Sequence, residues 1–376
     1  MIYISCFTIS LLCVFVANHT PSSLLRKVLW ALAILCPSIL AGLRDSGIGT
    51  DTQIYADSVW KDICSTRDLT HFFVRNTNDY YQASDWGYLF LNYCVSFISN
   101  DIHVIYFAVS LFIMCFVTHF AIRSKHNASI WLILFLFFFC FYNNSLNIMR
   151  QSMAMSCSLF GYKYLEEQHW IKAFIIFGLM ISFHATSVVC LIIAGVMMID
   201  KIKNGKLKMA IVVVTLSLFF VALKYFNEIL LFVITHGIIP QHYEMYAAIE
   251  DGVFQTSLLI MYSIFGLCFI VSLLLIKDKK TKSEILYYLV FHIFAILLSL
   301  LSIISYHAYR ISLFGLFISI LIFLPRTLCV VRRHNKNIYI ILTLVIMAIS
   351  VATWFYTIVM RGDTETFPYK SSIIGI

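Results

Sequence analysis

The chain has 376 residues, of which 61% are hydrophobic and only 12% are charged, and its mean hydropathy is +0.87. Soluble globular domains contain about 45–50% apolar and about 25% charged residues. The composition excludes a soluble enzyme with one membrane anchor, a disordered protein and an outer-membrane barrel, whose strands alternate polar and apolar residues. It predicts an all-α, polytopic membrane bundle, because a helix satisfies its own backbone hydrogen bonds in lipid.

Apolar runs of about 17–25 residues predict about 12 membrane spans (10–12) in a single multi-pass domain over residues 1–376. The first run is interpreted as a retained helix, because no small-residue cleavage pattern follows it. The predicted spans cover residues 2–17, 27–43, 101–122, 129–142, 145–165, 170–183, 184–199, 209–226, 256–276, 285–305, 310–325 and 338–359.

Charge supports an even number of spans. Alternate loops contain 18 of the 27 basic residues, and the other side contains 14 of the 19 acidic residues. The positive-inside rule then places the basic loops in the cytoplasm and both termini outside it. This distribution accounts for most of the net charge of +8 without nucleic acid as a partner.

Two loops on the predicted outer side are long, over residues 44–86 and 227–255. Long loops in compact domains are usually functional or disordered, and the Asp, Tyr, Trp and Arg content of the first favours function. Residues 87–99 are apolar but too short to span, so they predict an interfacial or re-entrant helix.

Metal and cofactor signals are weak throughout the chain. The 11 Cys are scattered through apolar runs without CxxC or His/Cys spacing, which predicts neither a disulfide framework nor a zinc site. His236 and His242 in the second long loop are too weak a pattern for a metal site. No nucleotide-binding fingerprint or GxSxG motif occurs, so we expect neither a metal nor another cofactor.

Three arginines lie at predicted outer helix ends, against the positive-inside trend: Arg44, Arg150 and Arg310. Each could snorkel to the outer headgroups or face a polar cavity. Guanidinium groups bind phosphate in a bidentate manner and keep their charge in a low dielectric. The three together favour a site for a lipid-linked phosphate or pyrophosphate.

Further polar residues accompany these arginines. Asn147, Arg150 and Gln151 share one helical face, which indicates either a polar cavity or interhelical hydrogen bonds. The segment 44–52 contains two glycines, and it predicts either a capped turn or, through Asp51, a carboxylate that acts as a base or sugar contact. His184 in an apolar stretch is either a satisfied core residue or a group that contacts the same cavity.

Six short motifs occur in a fixed order along the chain. They are RDSGIGTDTxxY (44–55), DWGYxxLN (85–92), NxxRQ (147–151), FHATS (183–187), YR (309–310) and PY (368–369). In this order they resemble the EpsG family of bacterial polysaccharide proteins, which is grouped with Wzy-type O-antigen and capsule polymerases. The chain departs from the family's EPGY pattern at 85–88, where it keeps the carboxylate and loses the proline.

The resemblance implies a GT-C-like polymerase architecture and metal-independent glycosyl transfer on the periplasmic side of the bacterial inner membrane, with both termini periplasmic. Its substrate would be an undecaprenyl-pyrophosphate-linked oligosaccharide among membrane lipids, and a chain-length regulator protein would be a partner. The implied catalytic residues are Asp51 and His184. The implied pyrophosphate contacts are Arg44, Arg150 and Arg310. We further expect their polar neighbours to contact the pyrophosphate or the glycan: Asp45, Tyr55, Asn147, Gln151 and Tyr309.

Three other functions remain open from the residues alone. A lipid-linked oligosaccharide flippase or transporter would carry polar residues through the bilayer midplane and often show internal repeats. A membrane-bound acyltransferase would place its His within reach of the cytoplasm. An O-antigen ligase uses the same donor and differs only in its acceptor, so the sequence separates it poorly from a polymerase.

Overall fold

The computed structural model of the protein describes residues 2–50, 52–70, 85–191, 225–236, 256–303 and 309–376, and the single positions 195, 214 and 221. Every regular element in these ranges is helical. In chain order they begin with α1 (Ile2–His19), α2 (Ser23–Gly42), α3 (Ser58–Thr66), α4 (Trp86–Ser96), α5 (Ile102–Arg123), α6 (Ile130–Asn147), α7 (Met149–Glu166) and α8 (Trp170–Phe183). They continue with α9 (Phe226–Thr235), α10 (Thr256–Leu275), α11 (Lys279–Ile303), α12 (Arg310–His334) and α13 (Lys336–Met360).

Eight helices in the described ranges are long and apolar enough to cross a membrane: α1, α2, α5, α6, α10, α11, α12 and α13. Each corresponds to a predicted span, so the all-helical membrane class is confirmed. The predicted spans 145–165 and 170–183 are the helices α7 and α8, of which α7 is too polar and α8 too short to qualify by themselves. Only residues 184–191 and 195 of the predicted span 184–199 are described, and only positions 214, 221, 225 and 226 of the predicted span 209–226, so the total of 12 stays a prediction.

Both termini lie at the same end of the bundle. The Tyr3 hydroxyl near the start of α1 donates to the backbone carbonyl of Thr366 in the C-terminal tail at 2.7 Å. The start of α1 and the C-terminal tail therefore meet on one side of the bundle. We call this end, formed by residues 2–4, 43–50 and 361–376, the terminal face.

The opposite end collects the basic loops, and we call it the basic face (residues 123–129, 163–170 and 326–336). Arg326 at the C-terminal part of α12 makes two hydrogen bonds, of 2.6 and 2.9 Å, to the Glu166 carboxylate at the end of α7. Lys163 also donates to the Arg123 carbonyl at 3.4 Å. Three loops that the charge pattern assigns to one side therefore meet at one end.

Helix α7 occupies the centre of the bundle and is buried along most of its length. Its 18 residues include three Ser and one each of Ala, Cys and Gly, whose small side chains let neighbouring helices approach closely. A Cβ on Gly161 would be in van der Waals contact with Ile176 and Phe177 of α8, at 3.5–3.6 Å. Helix α7 can therefore be less hydrophobic than its neighbours because protein, and not lipid, surrounds it.

The C-terminal tail folds back over the terminal face. Gly49 and Asp45 donate their backbone N–H groups to the carbonyls of Glu365 and Lys370, each at 3.0 Å. The Tyr369 hydroxyl donates to the Leu40 carbonyl at 2.8 Å. The tail thereby satisfies backbone groups of the segment after α2 and closes one part of this end.

The ion pair at the basic face gives a direct test of the packing of α7 on α12. Glu166→Gln removes the negative charge that the bidentate contact with Arg326 needs. Because Glu166 is partly exposed, we expect the free energy of unfolding to fall by only about 1 kcal/mol. The neighbouring Glu167→Gln should have no measurable effect, because the Glu167 carboxylate is exposed and lies 3.7 Å from Nζ of Lys163, the one ion pair that it makes among the described residues. The measurement is the midpoint of thermal unfolding of both variants in detergent. Equal midpoints would contradict the expectation.

Candidate active site

Three charged or titratable side chains from distant parts of the sequence meet near the terminal face. One carboxylate oxygen of Asp85 lies 3.4 Å from Nη1 of Arg150 and 3.3 Å from Nδ1 of His184. The other oxygen accepts the backbone N–H of Ala185 at 3.0 Å. The side chains of Asp85, Arg150 and His184 are 15%, 11% and 14% exposed, so this Asp85 cluster is largely shielded and still reachable from outside.

Helix ends place all three side chains. Asp85 precedes α4, and its side chain does not cap that helix but points to the other two residues. Arg150 is the second residue of α7, directly after the break at Ile148, where ψ is 60° and the helical path is interrupted. His184 follows α8 in an extended conformation, with φ −161° and ψ 117°. Because the helices end or break at these positions, the polar side chains there are exposed, whereas a continuous helix would bury them.

Gly87 permits the close approach of α4 to α8 that joins Asp85 to His184. A Cβ at Gly87 would lie 2.4 Å from Oγ and 2.9 Å from the backbone O of Ser182. Contacts this short cannot form, so any larger residue would push the two helices apart. The DWGY motif therefore requires glycine at its third position for packing.

The cluster has the chemistry of a positioned base beside a cation. In the tautomer with the proton on Nδ1, the His184 ring donates to the Asp85 carboxylate, and Nε2 is then the nitrogen that can accept a proton. In a low-dielectric site such hydrogen bonds hold the ring more firmly than in water. Arg150 contributes a permanent positive charge beside the ring. The arrangement can deprotonate a hydroxyl and stabilise a phosphate in the same place.

Four other residues that were predicted for the site lie near this cluster, either along the chain or in space: Asn147, Gln151, Tyr309 and Arg310. The Gln151 side chain donates to the backbone carbonyl of Arg310 at 2.6 Å and so ties α7 to the start of α12. Tyr309 immediately precedes α12. Asn147 lies against Gly49, where an added Cβ would be 2.9 Å from the Asn147 Cα. The structure thus brings the NxxRQ, YR and GTDT motifs to the same end of the bundle.

Arg44 is enclosed, with an exposed fraction of 1%. Its guanidinium stacks on the Tyr106 ring at 4.7 Å and donates to the sulfur of Met149 at 3.1 Å. Burial lowers the pKa of Arg44 from its usual value, although an arginine remains charged at neutral pH. The side chain stabilises the segment before Arg150 and does not face an open cavity.

Asp57 is a second carboxylate in this region. It accepts hydrogen bonds from the Ser46 hydroxyl and, at 2.6 Å, from the Tyr106 hydroxyl. Tyr106 therefore links the carboxylate of Asp57 to the guanidinium of Arg44. No sequence motif indicated this link, because Tyr106 lies in an ordinary apolar span.

Asp45 holds the C-terminal tail. Its carboxylate accepts the backbone N–H and the hydroxyl of Ser372 at 2.7 and 2.8 Å. These hydrogen bonds keep the pKa of the Asp45 carboxyl below its usual value. Asp51 and the side chain of Tyr55 lie outside the described residues.

The residue that sequence reasoning missed is Asp85. The DWGY motif contained it as a retained carboxylate, but its two partners are 65 and 99 positions away. The sequence did contain one signal for this contact, because the DWGY and FHATS motifs both lie at helix ends. Among the described residues, no three His, Cys, Asp or Glu side chains form a group that could hold a metal ion.

Comparison with known proteins gives one match. The profile of the EpsG family matches residues 27–371, which is nearly the whole chain. No curated protein and no solved structure matches the chain. The match includes all six motifs and the three residues of the Asp85 cluster, so the chain belongs to the EpsG family, whose members are similar to Wzy-type polysaccharide polymerases.

Proposed function

We propose that the protein polymerises a surface polysaccharide, an O-antigen or a capsule, by joining undecaprenyl-pyrophosphate-linked repeat units at the periplasmic face of the inner membrane. The observation that carries the proposal is the Asp85 cluster, in which a held imidazole and an arginine lie together at one end of an apolar bundle. Family membership supports the same activity. The terminal face is then periplasmic, in agreement with the basic loops at the opposite face.

The proposed reaction is a glycosyl transfer without metal or cofactor. An acceptor hydroxyl attacks the anomeric carbon of the donor sugar, and the bond between that carbon and the phosphate oxygen breaks. The electron pair leaves with the lipid pyrophosphate, and His184 takes the hydroxyl proton at Nε2. Asp85 orients the ring and stabilises the imidazolium that forms, because its carboxylate already accepts from Nδ1.

The arginines divide into two roles. Arg150 belongs to the cluster, and Arg310 begins the neighbouring helix α12, so both are proposed to stabilise the charge that develops on the leaving pyrophosphate. Arg44 is buried against Met149, so we assign it a positioning role for the start of α7. Asp51 remains a second proposed base, and Tyr55, Asn147, Gln151 and Tyr309 remain proposed glycan contacts.

A flippase explains the cluster less well, because it does not need a base held by a carboxylate beside an arginine. A ligase would use the same donor chemistry, and it differs from a polymerase in moving a finished glycan onto a lipid core. A chain-length regulator protein remains a proposed partner of a polymerase.

Deletion of the gene in its host, followed by gel analysis of the surface glycan, separates these functions. A polymerase predicts single-repeat glycan in place of a ladder. Complete loss of surface glycan would point to a flippase or ligase, and an unchanged ladder would contradict all three.

Loss of the imidazole tests the proposed base. In the deletion strain, His184→Ala should lower the rate of ladder formation about 10²–10⁴-fold, the usual contribution of a general base. Buried His292 supplies the control, because its two nitrogens bond Ser319 and Tyr262 within the bundle. A His292→Gln variant that reaches the membrane in normal amount should retain its ladder. Normal polymerisation by an equally abundant His184→Ala protein would remove His184 from the mechanism.

Gly87 tests the geometry without touching a reacting group. Gly87→Ala should abolish or strongly reduce polymerisation, because the new Cβ would displace α4 from Ser182 and separate Asp85 from His184. Gly178→Ala on α8 is the matched control, since no atom lies within 4 Å of an added Cβ there. The glycan ladder and the membrane content of each variant provide the measurement. Equal ladders from the two variants would show that the approach of α4 is not needed.

A further inference from the structure

The first two helices contact each other where the hydrogen bonding of one of them is interrupted. Helix α2 contains Pro37, which has no N–H to donate to the carbonyl four positions earlier, that of Ala33. Ser10 of α1 supplies the missing donor, because its hydroxyl donates to the Ala33 carbonyl at 2.7 Å. The Tyr142 hydroxyl of α6 donates to the Pro37 carbonyl at 2.6 Å. Two hydrogen bonds from neighbouring helices therefore hold α2 at its proline.

The bond between Ser10 and Ala33 sets the register of α1 against α2, which run antiparallel because only residues 20–22 join them. Cys6 lies about one turn from Ser10 toward the terminal face, and Cys36 lies about one turn from Ala33 in the same direction. The two thiols consequently face each other, with their Sγ atoms 3.5 Å apart. Cys6 is buried and Cys36 is partly exposed.

The contact between Cys6 and Cys36 has no signal in the sequence. The two residues are 30 positions apart, and isolated thiols in apolar runs usually act as small hydrophobic side chains. Spacing alone therefore predicts no disulfide framework. In the structure, about 1.5 Å of approach separates the two sulfurs from the distance of about 2.0 Å that they have in a disulfide.

The position of this pair in the bundle matters for its chemistry. Tyr3, about one turn before Cys6, donates to the C-terminal tail, so the thiols lie in the half of the bundle near the terminal face. The basic loops at the opposite face indicate that the terminal face lies outside the cytoplasm. Disulfides form and persist in such compartments, whereas cytosolic thiols are kept reduced.

We propose that Cys6 and Cys36 form a disulfide bond that joins α1 to α2. The inference goes beyond the polymerase activity and rests only on the proposed periplasmic position of the terminal face. The bond closes a ring of chain that contains the turn between the two helices, and it restricts the unfolded chain. It also holds the end of α2 that leads into Arg44.

The oxidant is a disulfide of a thiol oxidoreductase on the outer side. The sulfur of Cys36, the more exposed of the two, loses its proton and attacks that disulfide, which forms a mixed disulfide and releases one thiolate. The sulfur of Cys6 then attacks the sulfur of Cys36 and releases the second thiolate. The two thiol protons and two electrons end on the oxidoreductase, which becomes a dithiol.

Peptide mapping detects the bond directly. Trypsin cleaves after Arg26, Lys27 and Arg44, so Cys6 lies in the peptide 1–26 and Cys36 in the peptide 28–44. Free thiols are blocked with N-ethylmaleimide in acid-treated cells before lysis, and the purified protein is digested without reductant. We expect most of the two peptides to be joined and to separate on addition of dithiothreitol. Complete N-ethylmaleimide labelling of Cys6 and Cys36 in the denatured protein would overturn the proposal.

Cys13 provides the matched control, because it lies in the same tryptic peptide as Cys6. The joined peptides should persist in Cys13→Ser and disappear in Cys6→Ser and in Cys36→Ser. Joined peptides that persist in Cys6→Ser would assign the bond to another cysteine and so contradict the proposal. The wild-type digest decides the question even where a serine variant does not reach the membrane. It needs no turnover, so a failure of the wild type to polymerise would overturn the proposed function and leave the bond in place.

Discussion

The arrangement of this protein depends on the need to pair every polar group that enters an apolar bundle. An unpaired charge in such an interior costs several kcal/mol, so charges collect at the helix ends, where partners and water are in reach. The Arg326–Glu166 pair at the basic face and the Asp85 cluster at the terminal face both follow this rule. Between them lies His292, whose Nδ1 bonds the Ser319 hydroxyl and whose Nε2 bonds the Tyr262 carbonyl. His184 differs because only its Nδ1 has a protein partner among the described hydrogen bonds, which is what a proton acceptor requires.

Much of the fold could be predicted from hydropathy and loop charge. Runs such as 102–122 are apolar over the thickness of a bilayer, and the loops that end them carry the basic residues that meet at one face. Helix α7 shows the limit of the method, because its Ser, Cys and Gly content reflects contacts with neighbouring helices and lowers its apparent hydropathy. The break between the predicted spans 129–142 and 145–165 had a sequence signal in Asn143 and Asn144, and the structure places it a few residues later, at Ile148.

Two residues of the candidate site could be picked out from the sequence. Arg150 and His184 were identified from charge against the topological trend and from a polar residue in an apolar run, and the structure brings them to one carboxylate. Asp85 could not be found by spacing, because its contacts join segments that are distant in sequence. Arg44 shows the opposite case, in which a charge at a helix end is enclosed by Tyr106 and Met149 and acts on the fold. The sequence predicts how deep in the membrane a charged residue lies. The direction of its side chain depends on the packing of several helices.

The most direct test of the central claim is reconstitution of the purified protein alone in liposomes with its lipid-linked repeat unit. The account predicts a ladder of longer lipid-linked glycans and the release of one undecaprenyl pyrophosphate for each glycosidic bond formed, without added metal or nucleotide. Transfer of the repeat unit across the bilayer without elongation, or elongation that releases no lipid pyrophosphate, would contradict it.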